Sequence, residues 1–356
     1  MRSVIGRIAT GPEYSKDISA EEARDAMRII LNGQADPVQA GIFFIALRMK
    51  RETIDENIGV LDGILEVTEN ATAKTDEVAI IADPYDGYNR SLTAAPFLPA
   101  VLAACGLNSV TTGVDDMGPK HGASHKKILR AAGANVDMTP SEAAASVDSL
   151  GWAYCDQSRF ATKLFDLTGL RTTIIKRPTL TTVEVLLAPV KGAKKTHFVT
   201  GYVHKPYPPV YATLARHAGF DHSLIIRGTE GGVIPSLRQE SRMFVVHDKG
   251  EEQLVEFKPQ DLGIQQDVRA PLIPGMGEAS ELEEHQTEFN AARVSQQAAE
   301  AGLAALNGQK GASYDSLVLG AAIMLYGLKK VDSIAAGAEM ARKAIDSGEA
   351  KARFAG

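Results

Sequence analysis

The feature that most constrains this chain is a change of period near residue 77. Before it, apolar residues recur at helical spacing. After it, short apolar runs alternate with helical stretches. The runs VAIIA (78–82), NSVTT (108–112), GWAYC (151–155), HFVTGYV (197–203) and SLIIRG (223–228) have strand length and mostly strand texture. Helical patterns intervene: SLTAAPFLPAVLAACG from Ser91, HKKILRAAG from His125, one from Ser141, and VYATLARHAG from Val210. This alternation predicts a largely parallel central sheet covered by helices. RMFVVHD and EQLVEF pattern as a hairpin, and helices are expected near 287–303, 313–327 and 333–347. The first 70 residues read as helices alone. Ser19 and Glu22 form a capping box before ARDAMRIIL, and Thr53 caps a helix whose apolar face is Ile54, Ile58, Leu61, Ile64 and Leu65. TENATAKTDE (68–77) reads as a polar linker. The fold class expected is therefore α/β with a small all-helical N-terminal domain.

Composition narrows the function classes. A chain of 356 residues exceeds a single ordinary core, and its 44% apolar content suits a globular protein. The two cysteines, Cys105 and Cys155, make neither a disulfide framework nor a zinc cluster, which fits a cytoplasmic setting. No signal pattern opens the sequence and no run of about 18 apolar residues occurs, so no membrane partner is expected. A formal net charge of −6 disfavours a generally basic nucleic-acid binder but allows a local basic patch.

Ligands of such sheets bind where the chain leaves the carboxyl ends of the strands. Three loops qualify. In ADPYDGYNRSL (82–92), Ser91 can cap the next helix, free amides there suit an anion, and Asp83 and Asp86 could hold a cation beside Gly87 and Asn89. A capped helix after an Asp-Gly turn explains the same residues. In GVDDMGPKHGASH (113–125), Lys120 and His121 lead a basic cluster with His125, Lys126 and Lys127. A phosphate would suit it, and so would a solvated helix start. In RGTEGGVIPS (227–236), Arg227, Gly228, Thr229 and Glu230 combine a planar cation, an acid and glycines that let backbone approach a ligand. A plain turn is the alternative. Lys191, Lys194, Lys195 and His197 read as a solvated basic run, HKPYPP (204–209) as a rigid turn, and Trp152 and Tyr154 as core. No Walker A, GxGxxG or HExxH pattern occurs.

The layout resembles the anthranilate phosphoribosyltransferase family (glycosyltransferase family 3), related to the pyrimidine nucleoside phosphorylases. GIFFIALRMKRET (41–53), NRSLTAA (89–95), TGLRT (168–172) and the closing LGAAIMLYGLKKVDSIAAGAEMARKAIDSG (319–348) carry the likeness. The resemblance implies a homodimer joined through a helical domain of residues 1–72 plus about 160–190. It implies an α/β domain of 73–159 and 191–356, with a cleft and hinge between the two. It implies phosphoribosyl transfer from a pyrophosphate donor, with Mg²⁺ expected only if that donor binds.

Against that pattern the sequence shows losses. The family's Gly-Thr-Gly-Gly-Asp loop becomes ADPYDGYN, which keeps Gly87 alone and gains Pro84. Asn89 and Ser91 match the family, Ser91 at a position that helps hold magnesium. The magnesium-binding Asp-Glu pair falls on Val233 and Ile234, which cannot ligate a hard cation. The anthranilate-placing arginine falls on Phe165. Lys120-His121-Gly122 looks like the family's Lys-His-Gly-Asn motif, but in register that motif falls on Thr111, Thr112 and Gly113. The set of losses is similar to a divergent branch with an Asp-Gly-Tyr loop and an Arg-Gly-Thr-Glu-Gly motif (227–231). Some members of that branch are described as nucleic-acid-binding dimers. Three functions remain open. One is a phosphoribosyltransferase-type protein with a degenerate donor site. Another is a polyanion-binding dimer using Lys126, Lys127, Arg130, Lys191, Lys194 and Lys195. The third is a small-molecule sensor.

Overall fold

The computed structural model describes residues 1–278 and 289–356. The N-terminal helices run Arg2–Ile8, Ala20–Leu31, Pro37–Lys50 and Ile54–Leu65. Ser19 with Glu22 and Thr53 with Glu56 form the reciprocal caps that their spacing predicts. Met27, Phe43, Phe44, Leu47, Leu61 and Ile64 are fully buried between these helices. The short helices between Gln157 and Val183 return to them. Lys163 donates to Asn32, Thr179 donates to Asn57, and helix Thr168–Ile174 lies on helix Pro37–Lys50.

The central sheet has seven strands: β1 Glu77–Ala82, β2 Ser109–Gly113, β3 Trp152–Asp156, β4 Lys195–Gly201, β5 Ser223–Ile226, β6 Ser241–Val246 and β7 Glu252–Phe257. Their order is β3-β2-β1-β4-β5-β6-β7. The pairs from β3 to β5 are parallel, while β5–β6 and β6–β7 are antiparallel, so the expected hairpin is the β6–β7 edge. The winding reverses between β1 and β4, and the crevice outside their carboxyl ends is the place such sheets offer a ligand. Trp152 and Tyr154 are core, as expected. No helix among the described residues is long and apolar enough to cross a membrane.

Several local expectations need correction. Helix does not begin at Ser91: a 3₁₀ turn starts at Ala95 and the helix proper is Leu98–Ala104. The helix expected from Ser141 is Pro140–Leu150, capped by Thr139 with Glu142, because Pro140 suits the first helical position. The polar linker holds a two-residue strand, Ala71–Thr72, parallel to Val190–Lys191. His197 is not in a solvated loop but fully buried in β4. HKPYPP ends inside a helix, since Tyr207 begins Tyr207–His217. At the end of the chain the helices are Ala291–Leu306, Ala312–Gly327, Ile334–Asp346 and a further Glu349–Ala355. Residues 287 and 288 of the first expected helix lie outside the described residues.

Candidate functional site

Asp83 follows β1 directly, and its carboxylate is fully buried. It accepts from the Tyr88 hydroxyl (2.7 Å), His125 Nε2 (2.7 Å) and the Val233 amide (2.8 Å). Three loops are thereby fastened to one side chain. His125 is set in turn by Thr111 on β2, whose hydroxyl lies 2.8 Å from Nδ1. Thr111, His125 and Asp83 are in line like a nucleophile–base–acid set. Thr111 is nevertheless fully buried and donates to the Ile81 carbonyl, so the line works as an internal brace. Burial first, then the Asp83 carboxylate, hold the Tyr88 phenol well above its usual pKa, so it stays a donor.

The first loop folds back on the second. Tyr88 pairs with Ala123 as an antiparallel bridge, and Gly87, at φ 76°, touches the backbone of Gly122 and Ala123. Tyr85 is buried and donates to Thr112 (2.8 Å) at the end of β2. The hollow between Asp83, Tyr85, Thr112, Gly113 and His125 leaves no room for a water molecule. Asp86 is bound by Arg177 through Nε (3.0 Å) and Nη2 (2.5 Å), an ion pair from the returning helical segment to the loop.

The third loop closes over the crevice. A Cβ on Gly228 would stand 1.6 Å from the Gly232 carbonyl oxygen, and one on Gly232 would stand 1.7 Å from the Tyr88 hydroxyl. These glycines serve close backbone packing. Glu230, at φ 56°, turns its carboxylate onto the first loop. It accepts from the amides of Asn89 (3.2 Å) and Arg90 (3.2 Å) and from the Ser91 hydroxyl (2.7 Å). Ser91 therefore does not cap a helix, because its hydroxyl is given to Glu230. Lys120 completes the cluster, 3.5 Å from the Glu230 carboxylate and 3.1 Å from the Gly87 carbonyl. Arg227 by contrast is exposed, and His121 pairs with Asp116 (2.6 Å) at the surface.

Val233 and Ile234 belong to the apolar core of the α/β part and offer no oxygen to a hard cation. With Ser91 directed to Glu230, these residues do not fit a magnesium ion at the positions that the resemblance implies. Among the described residues no cluster of three or more His, Cys, Asp or Glu side chains is placed to hold a metal.

The residues considered for a polyanion patch face carboxylates. Lys126 is buried between Asp156 (3.2 Å) and Asp137 (3.0 Å). Lys127 meets Asp116, Arg130 meets Asp115, Lys194 meets Asp76 and Lys195 meets Asp248, while Lys191 is exposed. Sequence order alone did not single out the roles of Tyr88, His125 and Arg177. Their partners lie 5, 42 and 91 residues away.

Comparison with known proteins places this geometry in a family. Residues 2–67 match the model of a glycosyl transferase family helical bundle domain, and residues 83–351 match that of the glycosyl transferase family a/b domain. An anthranilate phosphoribosyltransferase from Paramagnetospirillum magneticum is 29% identical, covering 99% of this chain and 93% of that protein. An uncharacterized protein from Aquifex aeolicus is 28% identical over 70% of this chain and 74% of its own. Among solved structures, the anthranilate phosphoribosyltransferase of Thermus thermophilus superposes with a TM-score of 0.75 at 20% identity, covering 100% of this chain and 98% of that one. The Saccharomyces cerevisiae enzyme, solved in complex with PRPP and Mg, gives 0.76 at 14% identity over 99% and 95%. These two likenesses concern the fold. The two domain matches together span nearly the whole sequence, and the chain belongs to this glycosyl transferase family, with a helical bundle followed by an α/β domain.

Proposed function

We propose that the chain is a phosphoribosyltransferase-type protein whose donor loop holds a phosphate-bearing anion without the usual magnesium pair. On this reading, transfer to anthranilate is not its reaction. The observation that carries it is the pairing of two changes across one crevice. Val233 and Ile234 are core residues where carboxylates would be needed, and the amides of Asn89 and Arg90 already face a carboxylate. The scaffold, the Asn89–Ser91 segment and Lys120 still form an anion-friendly surface. Relatives named as phosphoribosyltransferases and a neighbour solved with PRPP and Mg support the phosphate-bearing class. Calorimetric titration with the phosphoribosyl pyrophosphate donor, with and without Mg²⁺, tests the reading. Binding of comparable strength in both conditions, with no pyrophosphate released on adding anthranilate, is the expected result. Tight binding that depends on Mg²⁺, followed by turnover, would overturn it.

The same reading takes the cleft between bundle and α/β domain as the place of closure, with residues 1–72 and 160–190 moving as one part. It takes the chain as a homodimer through the bundle, where Val38, Ile42 and Met49 are exposed. Nucleic-acid binding is the weaker alternative, because the ion pairs above offset most of the cations it would use. A sensor role would share the anion site without chemistry.

A further inference from the structure

We propose that Glu230 is a built-in occupant of this anion site, a carboxylate plug that an incoming phosphate group must displace. The inference rests on the proposed reading of residues 89–91 as an anion cradle and adds the element that controls access to it. The Glu230 side chain is 6% exposed and takes every contact that an anion would seek there. Two amides, one hydroxyl and one ammonium converge on its two oxygens. Such convergence of donors is what a phosphate selects.

Three details distinguish a plug from an ordinary loop contact. Glu230 holds a left-handed backbone between Thr229 and Gly231, a conformation that a longer side chain adopts only when its surroundings impose it. Thr229 Oγ1, on the residue before it, is buried without a hydrogen-bond partner, so a hydroxyl donor next in the chain to Glu230 is left unused by the carboxylate. A tetrahedral phosphate carries more oxygens than a carboxylate and can accept from more donors than Glu230 does. Lys120 is anchored separately, to the Gly87 and Glu230 carbonyls, so it stays in place when the Glu230 side chain swings out. Two anions cannot share the cradle, because like charges at contact distance repel strongly in a site this buried. Binding and plugging are therefore exclusive.

The test is calorimetry with inorganic pyrophosphate on the wild type, Glu230→Gln, Glu230→Ala and Glu230→Ala/Lys120→Ala. The expected result is at least tenfold tighter binding by Glu230→Ala than by the wild type, with Glu230→Gln between them. Removing Lys120 should abolish the gain. Glu230→Gln keeps the shape of the side chain, so it reports even if the alanine variant is unstable. Equal affinity in the wild type and both single variants would overturn the plug and leave the cradle standing. No binding by any variant that melts within a few degrees of the wild type would overturn the cradle and the plug together.

Discussion

Gly232 shows how little space the crevice keeps. An added methyl would enter the Tyr88 hydroxyl, and Tyr88 cannot retreat without breaking its bond to Asp83. Gly232→Ala is therefore expected to cost about 2–3 kcal/mol, as overpacked cores do, seen as a lower urea midpoint at unchanged slope. An unchanged midpoint would mean that the loop is looser than its contacts imply. At this scale the sequence was legible in part. The three loops, with Asn89, Ser91, Lys120 and Glu230 among their residues, stood out because polar residues and glycines after strands are visible in order. Their partners were not. Nothing in DGYN says that Tyr88 turns inward to Asp83, and nothing in GASHKK separates a buried His125 and Lys126 from a solvated helix start. Those assignments depend on which face of a short helix meets the sheet.

Elements were more legible than their ends, because the period of a segment outlasts local detail. The β6–β7 hairpin follows its alternation. The helix expected from Ser91 begins late, because Glu230 takes the Ser91 hydroxyl and Pro96 suits the start of the later turn. The basic run before β4 misled for a related reason: His197 alternates inward. It stacks on His222 of the turn before β5 (4.7 Å between ring centres), and His222 meets His247 just past β6 edge-on (5.5 Å). Burial first, then repulsion by His197, push the His222 pKa from its ordinary 6.5 down to about 4. Burial also lowers that of His197, against the pull of Glu77, with Lys330 adding to the lowering. Asp248 and Lys195 also face His222, one raising and one lowering it. As pH falls from 6.5 toward 4, the unfolded chain takes up protons that the folded chain refuses, so stability is full above that window and declines within it. The loss should be on the order of 1–2 kcal/mol after allowance for solvent screening. Melting temperatures from pH 7.5 to 4.5 measure it. His222→Asn keeps an acceptor for the Asp248 amide and should flatten the slope, and an identical slope in both proteins would remove His222 from the account.

Across the whole molecule, the bundle and the α/β part meet through pairs such as Arg177–Asp86 and His217–Asp62 and share one continuous apolar cluster with the near face of the sheet, while the other face packs on the C-terminal helices. Arg177 is 42% exposed, so its pair adds little to stability; its effect is to hold the first loop to the returning helical segment. Arg177→Ala should leave the melting temperature within about 1–2 °C of the wild type while speeding amide exchange across 84–88. Val233 and Ile234 belong to the larger scale. They pack among Leu98, Leu317, Leu319 and Ile323 in the cluster that joins the sheet to the C-terminal helices. Restoring the carboxylate pair by Val233→Asp/Ile234→Glu thus places two charges in an apolar interior rather than in an open metal site. Burying an unpaired carboxylate costs several kcal/mol, about half the stability of an ordinary domain. The double variant should melt far below the wild type or fail to fold, and millimolar Mg²⁺ should not recover it. Single Val233→Ala, which removes volume without adding charge, should lose about 1–3 kcal/mol and remain folded, showing that charge and not the position causes the larger loss. A well-folded double variant whose melting temperature rises with Mg²⁺ would show instead that the positions still face a metal site. The apolar pair would then be a recent exchange within an otherwise intact donor crevice.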